Sequence, residues 1–491
     1  MNMKTLRQDL PAGLVVFLVA LPLCLGIAQA SGLPPFVGLL TGVIGGLVVT
    51  SFSPSRFAVS GPAAGLVTIV VASIETLGSF SAFLFALVLA GIIQFILGML
   101  RAGRFIALVP GSVIKGMLAA IGILLIMQQI PVALGASGDG ELSGLFSGDF
   151  RFSTSSMLVA GAGLLILWLW TTPVIKNIKA LSWIPGPLIA VLIGGLATVF
   201  GERLQPDFLA SLPRITLPEF GSLSALAAEL EGPDWQAWRN PSVYVVAITL
   251  ALVASLETLL SQEALNKLRP QNPHPSPNRE MLAQGIGNTL AGFLGALPIT
   301  AVIVRSSVNV SVGAQSKVSI LLHGVLLLIC GLWFSDLLNV IPLASLAAVL
   351  LYTGYKLATP RLFIDQIRMG AQQFVPFITT IIGIIAFGML AGIGLGIATQ
   401  ILYSIYKSHR NAMHLTRYDD HYVLRLQQNL TFMHNPRLQN LLDEIPENSV
   451  LIVDHDNVDY LDPDVKAVLK DFGEKAPRRG IRLNQWPVAV K

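Results

Sequence analysis

Two groupings of residues in this sequence could do chemistry in an apolar medium. The first is a carboxylate with a hydroxyl one helical turn on. Glu257 sits deep in VVAITLALVASLETLLSQEAL, and Ser261 follows four positions later on the same helix face. A carboxylate there is unfavourable unless it is protonated, paired or bound to a cation. Glu257 and Ser261 could hold Na+ through oxygen ligands, or Glu257 could carry a proton. The second grouping is a permanent cation in a broken apolar stretch. Ala291 to Val310 reads AGFLGALPITAVIVRSSVNV, interrupted by Pro298 and charged at Arg305. A lipid-facing helix avoids both features, which are tolerated where protein or a water-filled cavity covers them. Arg305 could add positive charge beside an anion, or neutralise Glu257 and replace a coupling cation.

The elements that must position these groups are short and interrupted. A second broken stretch, FAVSGPAAGLVTIVVAS from Phe57 to Ser73, lies in the first half of the chain. Two such segments at corresponding places in two halves point to a transporter's binding site near the bilayer midplane. Helix N-termini carry about half a positive charge and unpaired N–H donors, so two meeting there make an anion site without a fixed ligand. Ser60, Gly61, Ala63, Ala64 and Gly65 are small enough to allow close backbone approach on one side. Ala301, Val302, Ile303 and Val304 present the other terminus. The alternative is that small residues only let the spans pack closely. Thr300 and Ser306 read as helix caps or packing hydroxyls. The expected activity is secondary transport of a small anion.

Composition agrees. The chain has 491 residues, 53% hydrophobic and 12% charged, and a mean hydropathy of +0.68. Soluble domains carry about 25% charged residues, so this is a multi-span membrane protein. The net charge of +4 is modest and its basic residues lie near span ends, which speaks of topology rather than nucleic-acid binding. Cys24 and Cys330, both in apolar runs, suggest neither a disulfide nor a metal site. There is no phosphate-binding glycine loop, nucleophile elbow or metal cluster, so no enzyme and no cofactor beyond a coupling ion is expected. The N-terminal MNMKTLRQDLPAG precedes a long apolar run, but many further spans follow, so that run reads as an uncleaved span.

Apolar segments recur at 12–30, 35–50, 62–76, 81–100, 109–130, 155–171, 185–200, 242–263, 281–296, 301–313, 317–335, 340–355, 373–389 and 391–408. Most are long enough for a span of roughly 20 residues. Lys4, Arg7, Arg101, Arg104, Lys176, Lys179, Lys267, Arg269, Arg279, Lys356, Arg361, Lys407 and Arg410 all fall on one side if both termini are cytoplasmic. The connection 202–240, acidic through Asp207, Glu219, Glu229, Glu231 and Asp234, falls on the other. The expected fold is an all-α polytopic membrane domain, residues 1–410, with about fourteen segments in a seven-plus-seven inverted repeat broken at that connection. Residues 411–491 change composition sharply. YVLRLQQNLTF and NSVLIVDHDNV read as strands, PRLQNLLDEI and DPDVKAVLKDFGEKA as helices, with Asp462 the N-cap of the second, and GIRLNQW as a last strand. This is a small α/β appendage.

The wording of several stretches is similar to the SulP family of anion transporters: LVVFLVALPLCLGIAQASGLPP, VSGPAAG, SLETLLSQEALNKL, NREMLAQGIGNTLAGFLGALP and VRSSVNVSVGA. The tail LIVDHDNVDYLDPDV resembles the STAS domain that follows the membrane part in that family. The resemblance implies a core domain of spans 1–4 and 8–11, a gate domain of spans 5–7 and 12–14, an elevator-like motion and a homodimer. It places the coupling carboxylate at Glu257 and pocket-lining side chains at Leu23 and Ile27. The glutamine many members carry beside the proline is absent, since Pro22 is followed by Leu23. The wording looks closest to bacterial members associated with bicarbonate, so the expected function is Na+- or H+-coupled bicarbonate uptake at a bacterial inner membrane. The alternatives are sulfate or a dicarboxylate such as fumarate and, in another class, an anion channel or a non-transporting scaffold. The STAS-like loop DHDNVDYLD has no Ser or Thr for a phosphorylation switch, and the tail is shorter than a full STAS domain. Glu75, Glu263 and Lys115 read as span-end residues reaching water, and His323 as a lone histidine in an apolar span.

Overall fold

The computed structural model describes residues 3–103, 109–135, 152–176, 184–204, 212–218, 230–268, 275–411, 413–426, 430–454 and 461–484. Arg104, Lys179, Arg269, the acidic Asp207, Glu219 and Glu229, and the tail loop 455–460 lie outside the described residues. The chain forms two units, Met1–Ile397 and Ala398–Lys491, so the division falls inside the last apolar helix rather than after Arg410.

Every apolar segment of the sequence coincides with a helix, all within the first unit except the last, which straddles the division. In chain order these are α1 (Met3–Ala30), α2 (Pro35–Phe52), α3 (Ala64–Leu77), α4 (Phe80–Met99), α5 (Gly111–Ala133), α6 (Thr154–Leu169) and α7 (Gly186–Leu204). They continue with α8 (Pro241–Leu268), α9 (Pro277–Leu294), α10 (Ile303–Ser311), α11 (Val318–Trp333) and α12 (Leu343–Leu357). A short amphipathic helix α13 (Pro360–Arg368) leads to α14 (Ala371–Phe387) and α15 (Met389–Asn411). Among the described residues, 6 helices are long and apolar enough to cross a membrane, and several shorter apolar ones pack among them. Large apolar side chains such as Leu158, Trp168, Leu196, Phe200, Val245 and Ile382 are exposed on the outside, as a bilayer requires. The protein is a polytopic membrane protein.

Helix packing relies on small residues. Gly91 on α4 faces Gly285 on α9, Gly98 lies against Asn278 and Leu282, and Gly292 lies against Leu84 and Val88. A Cβ at Gly285 would stand 2.7 Å from the Phe95 amide nitrogen, so the two backbones are in contact. α9 stops at Gly295, which takes a left-handed φ of 74°. The chain then runs extended through Pro298 to β2 (Ile299–Ala301), and β2 leads into α10. On the other side β1 (Ser60–Pro62) leads into α3. Ser60, Gly61 and Ala301, expected at helix N-termini, are therefore strand residues.

The second unit carries a 4-stranded sheet in the order β3 (Met413–Tyr418), β4 (His421–Leu426), β5 (Val450–Asp454), β6 (Arg482–Asn484). The first pair is antiparallel and the other two are parallel. β3 was not expected; Asp419, at a φ of 51°, turns it back into β4 as a hairpin. The strand expected over Tyr422–Phe432 ends at Leu426, and Phe432–His434 is a 3-10 turn. Helices α16 (Asn435–Asp443) and α17 (Pro463–Lys475) close the core with Leu438, Leu442, Val465, Leu469 and Phe472. The Asp462 side chain caps α17 by accepting from the Asp464 amide at 3.0 Å.

Candidate functional site

The two broken stretches meet. β1 and β2 pair antiparallel, Ser60 with Ala301, Gly61 with Thr300 and Pro62 with Ile299. A two-stranded ribbon buried inside helices leaves backbone groups that no regular element satisfies, and each would be strongly unfavourable without a partner. Side chains from four helices supply those partners. Asn288 on α9 donates to the Ile299 carbonyl at 3.0 Å and accepts from its amide at 2.6 Å. Asn288 is itself held by Gln94 of α4 at 2.6 Å. Thr258 on α8 accepts from the Ala301 amide at 3.2 Å, and Thr41 on α2 accepts from the Leu297 amide at 2.8 Å. Ser306 on α10 accepts from the Val59 amide at 2.9 Å, so it is a packing hydroxyl, while the Thr300 hydroxyl is buried without a partner. Gln284 on α9 donates to the Ser60 hydroxyl at 2.9 Å and to the buried Glu280 carboxylate at 3.0 Å.

This scaffold aims the N-termini of α3 and α10 at one cavity of about 280 Å³. Neither helix has a side-chain N-cap bond; the residues at those places are the apolar Ala63 and Val302. Their first-turn amides are thus open to an anion, reinforced by the helix dipoles. Of the residues singled out from the sequence, Leu23, Ile27, Ala64, Gly65, Glu257, Ser261, Val302, Ile303, Val304 and Arg305 line this cavity. Ser60, Gly61, Ala63 and Ala301 do not; they are buried behind it in and beside the strand pair.

Glu257 faces the start of α3. A Cβ at Gly65 would stand 2.9 Å from its Oε1, so only glycine lets the helix end approach the carboxylate this closely. Its other oxygen, Oε2, is buried with no hydrogen-bond partner. Arg305 is fully buried and does not neutralise it. The guanidinium Nη2 donates to the Pro62 carbonyl at 3.4 Å, while Nε and Nη1 have no partner among the described residues. The group packs against Gly61, on the side of Cys24 and His323. Arg305 therefore places a positive charge behind the strand pair and leaves Glu257 without a counter-charge.

The opposite wall was not visible in the sequence. Ile114, Lys115, Met117, Leu118 and Ile121 of α5, with Thr353 and Leu357 of α12, complete the cavity. It extends along α8 from Glu257 to Glu263 and Lys267, which form an exposed ion pair of 2.9 Å. Lys115 is partly buried in this wall and is more than a span-end residue reaching water. Its apolar neighbours on α5 give no local signal that the helix faces a cavity. Glu280, Gln284 and Asn288 were also missed as site-builders. Their four-residue spacing on one helix face was the available signal.

Residues 6–382 match the family model described as "Sulfate permease family". A putative sulfate transporter, YvdB, of Bacillus subtilis is 27% identical over 98% of this chain and 91% of its own length. The bicarbonate transporter BicA of Picosynechococcus is 28% identical over 72% of this chain; the match spans 62% of that protein's length. Among solved structures, the transmembrane domain of a cyanobacterium bicarbonate transporter BicA aligns with a TM-score of 0.68 at 23% identity, covering 82% of this chain and 98% of that one. SLC26A9 aligns with a TM-score of 0.78 at 16% identity, covering 99% of this chain and 85% of that one. At these identities the structural likeness shows the fold.

Proposed function

The chain belongs to the sulfate permease family, and from that premise we propose that it is a secondary active transporter taking up bicarbonate by symport. It is an anion transporter of this family and not an enzyme. The observation that carries the proposal is the shared cavity: two uncapped helix N-termini and an unpaired Glu257 carboxylate line the same space. An ionised carboxylate beside the anion would repel it by on the order of 3 kcal/mol at ~5 Å and an effective dielectric of ~20. A proton or cation on Glu257 removes that repulsion, so binding of the two becomes mutually dependent. Glu257 and Ser261 give at most three side-chain oxygens, a short donor set for a hard cation that takes six or more. The coupling ion we favour over Na+ is a proton carried on Glu257.

Bicarbonate suits a site of two helix dipoles with one cation set behind it, and a named bicarbonate transporter is among the relatives. The second reading, sulfate or a fumarate-like dicarboxylate, is favoured by the relative that aligns along nearly the whole chain, a putative sulfate transporter. An anion channel or scaffold leaves the intramembrane Glu257 without a role.

The rest of the reading follows the family resemblance. The helices form a seven-plus-seven inverted repeat, with α1–α4 and α8–α11 as the moving core and α5–α7, α12, α14 and α15 as the gate. The cavity lies between the two and opens where α8 ends at Lys267, which is the cytoplasmic side if both termini are cytoplasmic. An elevator-like shift of the core carries the site across the bacterial inner membrane. The protein works as a homodimer, and the tail is a STAS-like domain.

The test is uptake of labelled bicarbonate into proteoliposomes under an inward proton gradient, then under an inward Na+ gradient, for the wild type and Glu257→Gln. Proton-driven uptake that is lost in the variant is the expected result. Na+-driven uptake lost in the variant would replace the proton with Na+. Sulfate or fumarate accumulation without bicarbonate flux would leave the second reading standing.

A further inference from the structure

Away from the transport cavity, a second cavity of about 440 Å³ opens where four helices of the first unit reach one membrane face. Phe52 ends α2 and Phe95 lies in the last turns of α4, while Arg279 lies in the first turn of α9 and Lys317 stands at the N-cap of α11. Two helices arriving and two departing put this cavity at the level where hydrocarbon gives way to headgroups. Its lining is divided accordingly. Phe52 is 60% and Phe95 36% exposed, and with Ile286 they form an apolar wall open to the bilayer. Arg279 and Lys317 line the same cavity beside Ser53.

Among the described residues Arg279 lacks a counter-charge, and Lys317 has only the buried Glu280 carboxylate near it. Arg279 is exposed and makes no hydrogen bond or ion pair among the described residues. Lys317 is partly buried and gives one donor to the Ser53 carbonyl, leaving two of an ammonium's three donors free. The carboxylate close by, Glu280, is buried and its oxygens are taken by the Ser53 hydroxyl at 2.5 Å and the Gln284 amide at 3.0 Å. An unpaired arginine and a lysine with donors to spare, above an apolar wall at the depth of the headgroups, complement one class of molecule. Basic pockets between spanning helices recognise anionic lipid headgroups.

We infer that this cavity is a binding site for an anionic phospholipid. The lipid's phosphate bridges Arg279 and Lys317, and an acyl chain lies along Phe52, Phe95 and Ile286. Held this way, the lipid ties the starts of α9 and α11 to the end of α2. The same lysine touches Ser53, which leads through Glu280 and Gln284 to Ser60 of the strand pair behind the transport site.

The test uses the purified full-length chain in detergent. Native mass spectrometry measures retention of added phosphatidylglycerol and phosphatidylcholine by the wild type, Arg279→Gln, Lys317→Gln and the conservative Arg279→Lys. The expected result is preferential retention of phosphatidylglycerol, weakened about fivefold by each Gln substitution and kept by Arg279→Lys. Arg279 makes no bonds among the described residues, so Arg279→Gln remains informative even if Lys317→Gln is unstable. Equal retention of both lipids, or wild-type phosphatidylglycerol retention in Arg279→Gln, would overturn the assignment. So would displacement of the lipid by millimolar inorganic phosphate, which would make this a free-anion site. The readout is lipid bound, so it stands or falls separately from transport.

Discussion

Replacing Gly65 with alanine separates a stability effect from a transport effect at one atom. The added Cβ would lie 2.9 Å from Glu257 Oε1 and 3.0 Å from Ile121 Cδ1. Ordinary contacts begin near ~3.5 Å, so the carboxylate must retreat by about 0.5 Å. Both obstacles are far ends of flexible side chains, and an off-rotamer shift costs about 0.5–1.5 kcal/mol. Against this, alanine favours a helical position by about 0.5–1 kcal/mol over glycine. The two terms nearly cancel, so the unfolding midpoint in detergent should stay within about 2 °C of the wild type. Transport should not be spared. The carboxylate would be pushed out of register with the helix end, and a misplacement of about 1 Å in a working site costs about a hundredfold. A loss on the order of tenfold in proton-driven anion uptake is therefore expected, measured in proteoliposomes with protein content matched. Gly61→Ala is the companion. Its Cβ would lie 2.5 Å from Arg305 Nη1 in a fully enclosed place, so overpacking should remove about 1–3 kcal/mol of stability. Gly65→Ala with wild-type uptake would refute the claim that the approach of α3 to Glu257 matters.

Three further outcomes are expected. Asn288→Ala strips both partners from the Ile299 backbone and one from Gln94; at about 1–3 kcal/mol for each buried group left unpaired, chemical or thermal unfolding should reveal a clearly destabilised protein, and wild-type stability would mean that water replaces the clamp. Lys115→Glu reverses the charge in the cavity wall; half-saturating anion concentration should rise several-fold in low salt and approach the wild type near 1 M ionic strength, where screening acts within about 3 Å. A salt-independent defect would place Lys115 in direct contact with the anion instead. Arg305→Met removes a buried cation that has no carboxylate partner, so the fold should survive while apparent anion affinity falls; unchanged affinity would show that the helix ends alone set the site's charge.

Much of the first unit was legible along the chain because its signals are local. Apolar runs of span length became helices, and the breaks at Pro62 and Pro298 became strand pair and helix starts, since proline and small residues act on their own neighbours. Glu257 and Ser261 share a cavity because four residues make one helical turn. The tail's parallel strands and α17 followed from periodicity and an N-terminal aspartate, whereas β3 depended on a hairpin turn at Asp419 that was not recognised. What only the tertiary structure decided are the meetings of distant segments. Ser60 and Ala301 pair across the two halves of the chain, and no residue near either announces the other. Asn288, Thr258 and Thr41 became backbone partners because a buried ribbon must be satisfied from whatever packs beside it. Lys115 entered the cavity wall because α5 packs across from the helix ends. Arg305 turned behind the strand pair instead of toward Glu257 because Gly61 leaves room there, and room is a property of packing, which no single stretch of sequence carries.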